Sequence, residues 1–398
     1  MKFNILVVLD TQIGRFICFF FSLMTKIRKG PVPRSVETVM VTKLRGIGDL
    51  VLALPMIKAI HQNGKRVILL GGTKNIPIVR NQPYIDKTFS FDVEKISDSL
   101  KAFSVLRRIR KEHVDACVDL TQSANYSTLL NYLSGAGMRI GFRNDNMQKK
   151  AKNRMYTHLI PFNNHQHIMK SYFDLARPLQ IKEPADLDLE RLVSLPIDRS
   201  HVKKFISSHR LAGKRVAGVH LSSPVKAKRW PFKRWAEVID YLLANDFHVV
   251  AIGVKKEKST INRIIPFLKK KTSRFVNAAG LFSLPQLFAV MDHFDIFLSN
   301  DGGPMHIASA QGKPLIALFG PETPVRYGAL SHSSYSLYKG DQMQCSPCSK
   351  PYMGSWPRCR KPYCLEAITS AEVIATIDEM MNTLYGQEKD DHNRPDAA

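Results

Sequence analysis

Residues 299–320 constrain the fold of this chain more than any other segment. Their pattern predicts the end of a buried strand, a glycine turn, a short helix and a second buried strand. We expect Asp301 to be the N-cap of that helix, and Gly302 and Gly303 to let a ligand approach the backbone. Because free amides at a helix start bind phosphate, the segment predicts a phosphorylated ligand at the carboxyl edge of an α/β sheet.

Predicted strands and helices alternate over most of the chain. This pattern is typical of parallel sheets that are covered by helices on both faces. Residues 181–205, rich in Pro, Asp and Leu, interrupt the alternation and are interpreted as a linker. We therefore predict two α/β domains, residues 36–180 and 206–385, facing each other across a cleft, with a disordered tail at residues 386–398.

The charge of the chain indicates an acidic partner. Its 398 residues carry a net charge of +24, which suits nucleic acid, an anionic membrane surface or a phosphorylated substrate. The sequence has no recognisable nucleic-acid-binding motif, so nucleic acid is not a predicted partner.

Residues 1–30 are mostly bulky and apolar, with one narrow polar stripe and three basic residues at the end. Asp10 and Arg15 leave no uncharged run of the ~20 residues that a bilayer-spanning helix needs. The pattern predicts an amphipathic helix lying in a membrane interface. A packed core helix and a spanning anchor are the alternatives.

Four of the six cysteines are clustered as C-x2-C-x10-C-x4-C. In a secreted protein such a cluster forms disulfides, and in a cytoplasmic one it is a candidate structural zinc site. The spacing differs from standard zinc signatures, so a plain packed loop is the alternative. The four candidate ligands are Cys345, Cys348, Cys359 and Cys364.

Two further segments contain candidate catalytic or phosphate-binding residues. Gly46-Ile47-Gly48-Asp49 follows the first predicted strand, and Asp49 is there either an N-cap or a base that faces a ligand. The third glycine of a dinucleotide-binding fingerprint is missing, which disfavours an oxidoreductase. Ser222 and Ser223 precede several cations, including Lys228, and this combination suits a pyrophosphate, although a solvated basic loop has the same composition.

Together these motifs resemble glycosyltransferase family 9, the bacterial ADP-heptose:lipopolysaccharide heptosyltransferases, over about residues 36–385. The residues that carry the resemblance are Gly48-Asp49 with Leu54-Pro55, Lys228 with Trp230, Asp301-Gly302-Gly303 with His306, and Phe319-Gly320-Pro321. The resemblance implies a GT-B fold of two Rossmann-like domains with parallel sheets. It also implies an inverting glycosyltransferase that requires no metal or other cofactor.

The same resemblance implies both substrates and the location of the protein. The donor is ADP-heptose, bound by the C-terminal domain, and the acceptor is the anionic, lipid-linked inner core of lipopolysaccharide, bound by the N-terminal domain. Such an enzyme is cytoplasmic and peripheral on the inner face of the inner membrane. Two alternatives remain open: the same fold acting on another nucleotide-sugar or surface-polysaccharide acceptor, and a non-catalytic module that binds nucleotide or lipid.

By position, the resemblance implies a role for each candidate residue. Asp49 corresponds to the catalytic base, and position 302 is glycine where the family usually has Ser or Thr, so one hydroxyl contact to the donor is missing. The implied acceptor-side residues are Arg45, Gly46 and Gly48, and the implied donor-binding residues are Ser222, Ser223, Lys228, Glu257, Asp301, Gly302, Gly303 and His306.

Overall fold

The computed structural model describes residues 35–91, 99–122, 124–143, 150–269, 272–348, 359 and 361–392. They form two compact units, the N-terminal unit ending at Val193 and the C-terminal unit beginning at Ser194. The predicted helix over residues 1–30 lies outside the described residues. Within them, no helix is both long and apolar enough to cross a bilayer.

The N-terminal unit is a six-stranded parallel sheet with helical connections. Its central strands are short, apolar and buried, as expected when helices cover both faces of a sheet. In chain order its elements are β1 (Thr38–Lys43), α1 (Ile47–Gln62), β2 (Arg66–Gly71), α2 (Ile76–Val79), β3 (Lys87–Ser90), α3 (Ser99–Arg110), β4 (Ala116–Asp119), α4 (Asn125–Leu133), β5 (Met138–Phe142), α5 (Lys150–Asn153), β6 (His158–Ile160) and α6 (Ile168–Ala176).

The strand order of this sheet is β3-β2-β1-β4-β5-β6, with every pair parallel. The chain order reverses between β1 and β4, where Thr42 pairs with Asp119. In sheets of this kind, ligands bind beyond the carboxyl ends of the strands at such a reversal. The loop that follows β1 therefore begins at the expected ligand-binding edge.

Glycine allows the end of β1 to pass very close to the end of β2. A Cβ added at Gly72 would lie 2.0 Å from the carbonyl oxygen of Leu44. The next helical turn, α2, fixes the same place, because Asn75 Nδ2 donates a hydrogen bond of 3.1 Å to the Lys43 carbonyl oxygen. This contact fixes the start of the loop that carries Arg45 and Gly46.

The C-terminal unit repeats the plan of the N-terminal unit. Its helices and strands are connected by 3₁₀ turns, among them Lys226–Lys228 and Lys255–Glu257. Its elements are α7 (Pro196–Ser208), β7 (Arg215–His220), α8 (Phe232–Ala244), β8 (Phe247–Ala251), α9 (Lys258–Asn262), β9 (Phe275–Asn277), α10 (Leu284–Met291), β10 (Ile296–Asn300), α11 (Gly303–Ala310), β11 (Leu315–Phe319), α12 (Pro324–Tyr327), β12 (Ser334–Tyr338), α13 (Tyr363–Glu366) and α14 (Ser370–His392).

The second sheet has the same topology as the first. Its order is β12-β11-β10-β7-β8-β9, with every pair parallel, and it reverses between β7 and β10. Ser299 pairs with His220 at the carboxyl ends of these two strands. The segments that follow them, which contain Ser222 and Asp301, therefore start from the same edge.

Two tryptophans anchor the loop between β7 and α8. Trp230 and Trp235 are both buried and pack edge to face, with ring centroids 5.2 Å apart. The Trp230 indole donates a hydrogen bond of 3.0 Å to the Ile368 carbonyl oxygen. Burial of Trp230 thus fixes the chain two residues after Lys228.

Two predicted irregular segments contain helix. The helix α7 begins at Pro196, inside the predicted linker, because proline suits a first helical turn and Val202, Phe205 and Ile206 form a buried face. The helix α14 continues to His392, inside the predicted disordered tail, and residues 393–398 lie outside the described residues.

We predict that Gly72→Ala destabilises the N-terminal unit by about 1–3 kcal/mol, because the new methyl group collides with a backbone oxygen that cannot move cheaply. The free energy of unfolding from urea denaturation measures the effect. Gly302→Ala is the control, since a Cβ there has no neighbour closer than 3.9 Å and the φ of 171° suits any residue. Equal unfolding free energies for the two variants would contradict the prediction.

Candidate active site

Asp49 lies in the first turn of α1, directly after the turn that leaves β1. It is not the N-cap of this helix. The N-cap is Gly46, without any side-chain capping bond, and the Asp49 carboxylate instead forms an ion pair with Lys43, whose Nζ is 2.9 Å from Oδ2. The prediction that Asp49 could be an N-cap is therefore wrong. The Asp49 side chain is 28% exposed.

The two glycines near Asp49 have different structural roles. Gly46 has a φ of 90°, and a Cβ at this position would lie 2.3 Å from Oδ2 of Asp49. Gly48 is buried in the first turn of α1, and Arg45 is exposed. The loop therefore presents a cationic side chain to solvent and keeps the space beside the carboxylate clear.

The end of β4 adds a buried acid to the same edge of the sheet. Asp119 is fully buried, and its carboxylate accepts hydrogen bonds from the Tyr156 hydroxyl at 2.7 Å and the Thr121 amide at 2.9 Å. The sequence interpretation missed Asp119 and also Lys43. In both cases the available signal was a charged residue that ends an otherwise uncharged buried strand.

In the C-terminal unit, Lys228 and Asp301 form a buried ion pair. Lys228 Nζ lies 2.5 Å from Asp301 Oδ2, and the two side chains are 11% and 5% exposed. The sequence predicted that Asp301 is the N-cap of α11, and this prediction is wrong. The N-cap is Gly302, which has no side chain to cap the helix, and the Asp301 carboxylate instead binds the Lys228 ammonium, a stronger partner than a backbone amide.

The loop after β7 is fixed by hydrogen bonds and holds its two serines in place. Ser222 and Ser223 are both buried, and the Ser223 hydroxyl accepts a hydrogen bond from the Val225 amide. The buried Asn300 side chain ties this loop to the end of β10, since it donates to the Leu221 carbonyl oxygen and accepts from the Trp230 amide. Two adjacent strands thus share one rigid edge.

Glu257 ends the 3₁₀ turn that follows β8. Its Oε2 accepts a hydrogen bond of 2.9 Å from the Val254 amide and lies 3.9 Å from His220 Nε2. Burial alone would raise the pKa of Glu257, but His220 and the Val254 amide outweigh it and lower the pKa to about 2. Glu257 is therefore a fixed anionic acceptor close to the end of β7.

The start of α11 contains the remaining predicted donor residues. Gly302 has an extended backbone with open space where a side chain would point, so the fold itself does not require glycine there. Gly303 is the first residue of α11, and His306 is buried one turn further on. The open space at Gly302 therefore lies directly after Asp301, next to the Lys228–Asp301 ion pair.

A second buried ion pair next to this site escaped the sequence interpretation. Glu322 and Arg326 are about 3% exposed and are joined through Arg326 Nη2 and Glu322 Oε1. Burial raises the pKa of Glu322, an effect that Arg326 partly offsets, and the charges of Asp301 and Lys228 also act on it. The available signal in the sequence was that Glu322 directly follows Phe319-Gly320-Pro321, just after β11.

The structure does not support the zinc hypothesis for the four C-terminal cysteines. Cys345, Cys348, Cys359 and Cys364 all lie in the described part of the chain, where no three His, Cys, Asp or Glu side chains are arranged to hold a metal ion. Cys359 donates its thiol hydrogen to the Lys361 carbonyl oxygen, and burial raises the pKa of Cys348 to about 11. The other three thiols also raise the pKa of Cys348, so the fold brings the four cysteines near one another, but not into a geometry that holds a metal ion.

Each unit thus gathers polar groups where its strand order reverses. The N-terminal unit offers a carboxylate beside an ammonium and an exposed arginine, a set that can accept a proton next to an anionic ligand. The C-terminal unit offers an ammonium, two hydroxyls, a helix start and a fixed carboxylate. That second set matches a diphosphate and a ribose, because cations and amides bind phosphate and carboxylates bind vicinal hydroxyls.

Comparison with known proteins identifies a family. A model described as Glycosyltransferase family 9 (heptosyltransferase) matches residues 102–353. The chain is also 24% identical over 345 residues to lipopolysaccharide heptosyltransferase 3 of Escherichia coli, a match that covers 85% of this chain and 97% of the relative.

Solved structures share the fold. The E. coli ADP-heptose lipopolysaccharide heptosyltransferase II has a TM-score of 0.69 and 19% identity, covering 88% of this chain and 99% of its own. The E. coli heptosyltransferase WaaC with ADP-2-deoxy-2-fluoro heptose has a TM-score of 0.63 and 16% identity, covering 86% of this chain and 99% of its own. The predicted GT-B class, two Rossmann-like domains with parallel sheets, is confirmed.

We predict that Glu257→Gln lowers the free energy of unfolding at neutral pH by on the order of 2 kcal/mol. The pKa of Glu257 is about 2 in the folded protein, below its ordinary value of 4.5, so the unfolded chain binds the proton more readily. The difference from wild type should be full above about pH 5 and should shrink as the pH falls towards 2. Urea denaturation over this range measures it, and a difference independent of pH would contradict the prediction.

Proposed function

The chain belongs to glycosyltransferase family 9, the heptosyltransferases, and from this premise we propose that it transfers a heptose from ADP-heptose to the inner core of lipopolysaccharide. The enzyme class follows from the family. The names of the relatives support both substrates, since one is a lipopolysaccharide heptosyltransferase and another was crystallised with an ADP-heptose analogue.

The observation that carries the proposal is the edge of the C-terminal sheet where its strand order reverses. Lys228 and Asp301 are paired at 2.5 Å, with Ser222, Ser223 and Glu257 on the neighbouring strand ends. In the proposed complex, Lys228 and the serine hydroxyls bind the diphosphate, and Glu257 accepts hydrogen bonds from the ribose. Asp301, Gly303 and His306 then surround the sugar.

The proposed reaction is a single displacement. Asp49 takes the proton of an acceptor hydroxyl while its oxygen attacks the anomeric carbon of the heptose, and the bond from that carbon to the ADP oxygen breaks. ADP leaves with the electron pair, and Lys228, the hydroxyls and the α11 amides stabilise the charge that develops on its phosphate. Attack opposite the leaving group inverts the anomeric centre, and no metal or other cofactor is assigned a part in it.

The acceptor and the cellular location are proposed together. A lipid-linked core oligosaccharide is anionic, which matches the net charge of +24 and the exposed Arg45 next to the proposed base. We propose that the protein is peripheral on the cytoplasmic face of the inner membrane, with residues 1–30 lying in the interface. Arg45, Gly46 and Gly48 are the proposed acceptor-side residues.

One observation favours a second candidate function, transfer of a different sugar by the same fold. Because the fold does not require glycine at position 302, the missing side chain beside Asp301 leaves room within the proposed donor site. Such room suits a donor sugar with a different substituent. A panel of nucleotide-sugars scored for nucleotide release distinguishes the two candidates.

The test of the proposed function is transfer by the purified protein from ADP-heptose to defined lipopolysaccharide core acceptors, read by mass spectrometry. We expect the acceptor to gain one heptose. Asp49→Asn should lower kcat by about 100- to 10,000-fold, the usual contribution of a general base, while ADP still binds. Asp174→Asn is the control, because Asp174 is also ion-paired in the N-terminal unit, 2.8 Å from Arg177.

Three outcomes would contradict parts of the proposal. Near-wild-type turnover by Asp49→Asn would remove Asp49 as the base. Product formed only with another nucleotide-sugar would favour the second candidate. Binding of ADP-heptose without product from any acceptor would favour a non-catalytic nucleotide- or lipid-binding module.

We predict that deletion of residues 1–30 moves the protein from the membrane fraction to the soluble fraction, because the apolar face that enters the interface is lost. Fractionation of cells followed by immunoblotting measures the distribution. Turnover with a detergent-solubilised acceptor should stay close to wild type, which separates anchoring from folding. An unchanged distribution between fractions would contradict membrane anchoring by this segment.

A further inference from the structure

Lys43 is a buried lysine that the reaction as described above does not use. Its side chain is 9% exposed, yet its Nζ lies 2.9 Å from Oδ2 of Asp49, whose side chain is 28% exposed. A buried ammonium is costly unless it is paired. The more deeply buried member of this pair is therefore the cation, and the carboxylate is the member that solvent and substrate can reach.

The two members of the pair are held by different parts of the fold. Lys43 ends β1, where it pairs with Gly71 of the neighbouring strand, and Asn75 donates a hydrogen bond to its carbonyl oxygen. Asp49 belongs to α1 and is separated from β1 by a turn that contains Gly46. The backbone of Lys43 is thus fixed in the sheet, and the ion pair ties Asp49, at the start of α1, to that sheet.

Gly46 limits the position of the carboxylate from the other side. The space that a Cβ would occupy at this residue is only 2.3 Å from Oδ2 of Asp49. The oxygen therefore sits between Lys43 Nζ and the bare backbone of Gly46. This packing leaves little freedom to the side chain of Asp49, although it is partly exposed.

We propose that Lys43 is the positioning residue for the base, an inference that rests on the proposed function. Its ammonium binds Oδ2 and so leaves Oδ1 of Asp49 to take the proton of the acceptor hydroxyl. The ion pair keeps the carboxylate in the orientation needed for attack, and correct placement of a reacting group accounts for a large part of catalysis. Lys43 itself touches no substrate.

Three substitutions separate charge, hydrogen bonding and packing at this position. Lys43→Met removes both charge and donor, Lys43→Gln keeps a neutral donor, and Lys43→Arg keeps the charge. We expect Lys43→Met to lower kcat by about 100-fold, the effect of a reacting group displaced by about 1 Å. KM for ADP-heptose and for the acceptor should stay within about twofold, and Lys43→Arg should recover most of kcat.

A second lysine provides the matched control. Lys58 lies on α1 of the same unit and also forms an ion pair at 2.9 Å, with Glu190. Lys58→Met should leave kcat unchanged. A thermal-unfolding cycle of Lys43→Met, Asp49→Asn and the double variant measures the coupling between the two side chains. Donor binding by calorimetry shows whether each variant is folded.

The outcomes distinguish this inference from the function on which it rests. If wild type transfers heptose and both Lys43→Met and Lys43→Gln keep kcat within about twofold, the positioning role is wrong and the function stands. A raised acceptor KM with unchanged kcat would also overturn it, since Lys43 would then contact substrate. If wild type transfers no sugar to any acceptor, the proposed function fails and this inference fails with it.

Discussion

The reversal of strand order in each parallel sheet is the constraint on which the candidate site depends. All strands of a parallel sheet end at the same edge, and at the reversal the connecting segments leave in opposite directions, so an open crevice forms between two strand ends. In the N-terminal unit this crevice lies between β1 and β4, and in the C-terminal unit between β7 and β10. Every charged group assigned a role ends one of these strands or lies in a segment that follows one of them or a direct neighbour.

Both edges contain a lysine–aspartate ion pair whose lysine is largely buried. In the N-terminal unit the pair is Lys43 with Asp49, and in the C-terminal unit it is Lys228 with Asp301. Buried ion pairs contribute little net stability, because desolvation of the charges consumes most of the attraction. Their presence at the two strand-order reversals is therefore better explained by the proposed function, in which Asp49 is a base that must be oriented and Lys228 is a cation that binds phosphate.

Errors in the sequence interpretation have a common physical cause. The sequence assigned Asp301 to the N-cap of α11 from local propensity, but a lysine 73 residues earlier binds its carboxylate instead. Residues 196–205 were interpreted as part of a linker because the segment 181–205 is rich in Pro, Asp and Leu, whereas a buried face of three apolar residues makes residues 196–208 a helix. In each case a non-local contact outweighed a local preference.

The sequence by itself determined the alternation of strands and helices, the two-domain plan, the glycine turns after β1 and β10, and the family. These properties depend on the order of apolar and polar residues and on glycine, which act over a few positions. Only the tertiary structure decided which charges meet. The partners Lys43–Asp49, Lys228–Asp301, His220–Glu257 and Glu322–Arg326 come together through strand register and burial. The energy of such a contact depends on desolvation and on distances of a few ångströms, which no local pattern of residues specifies.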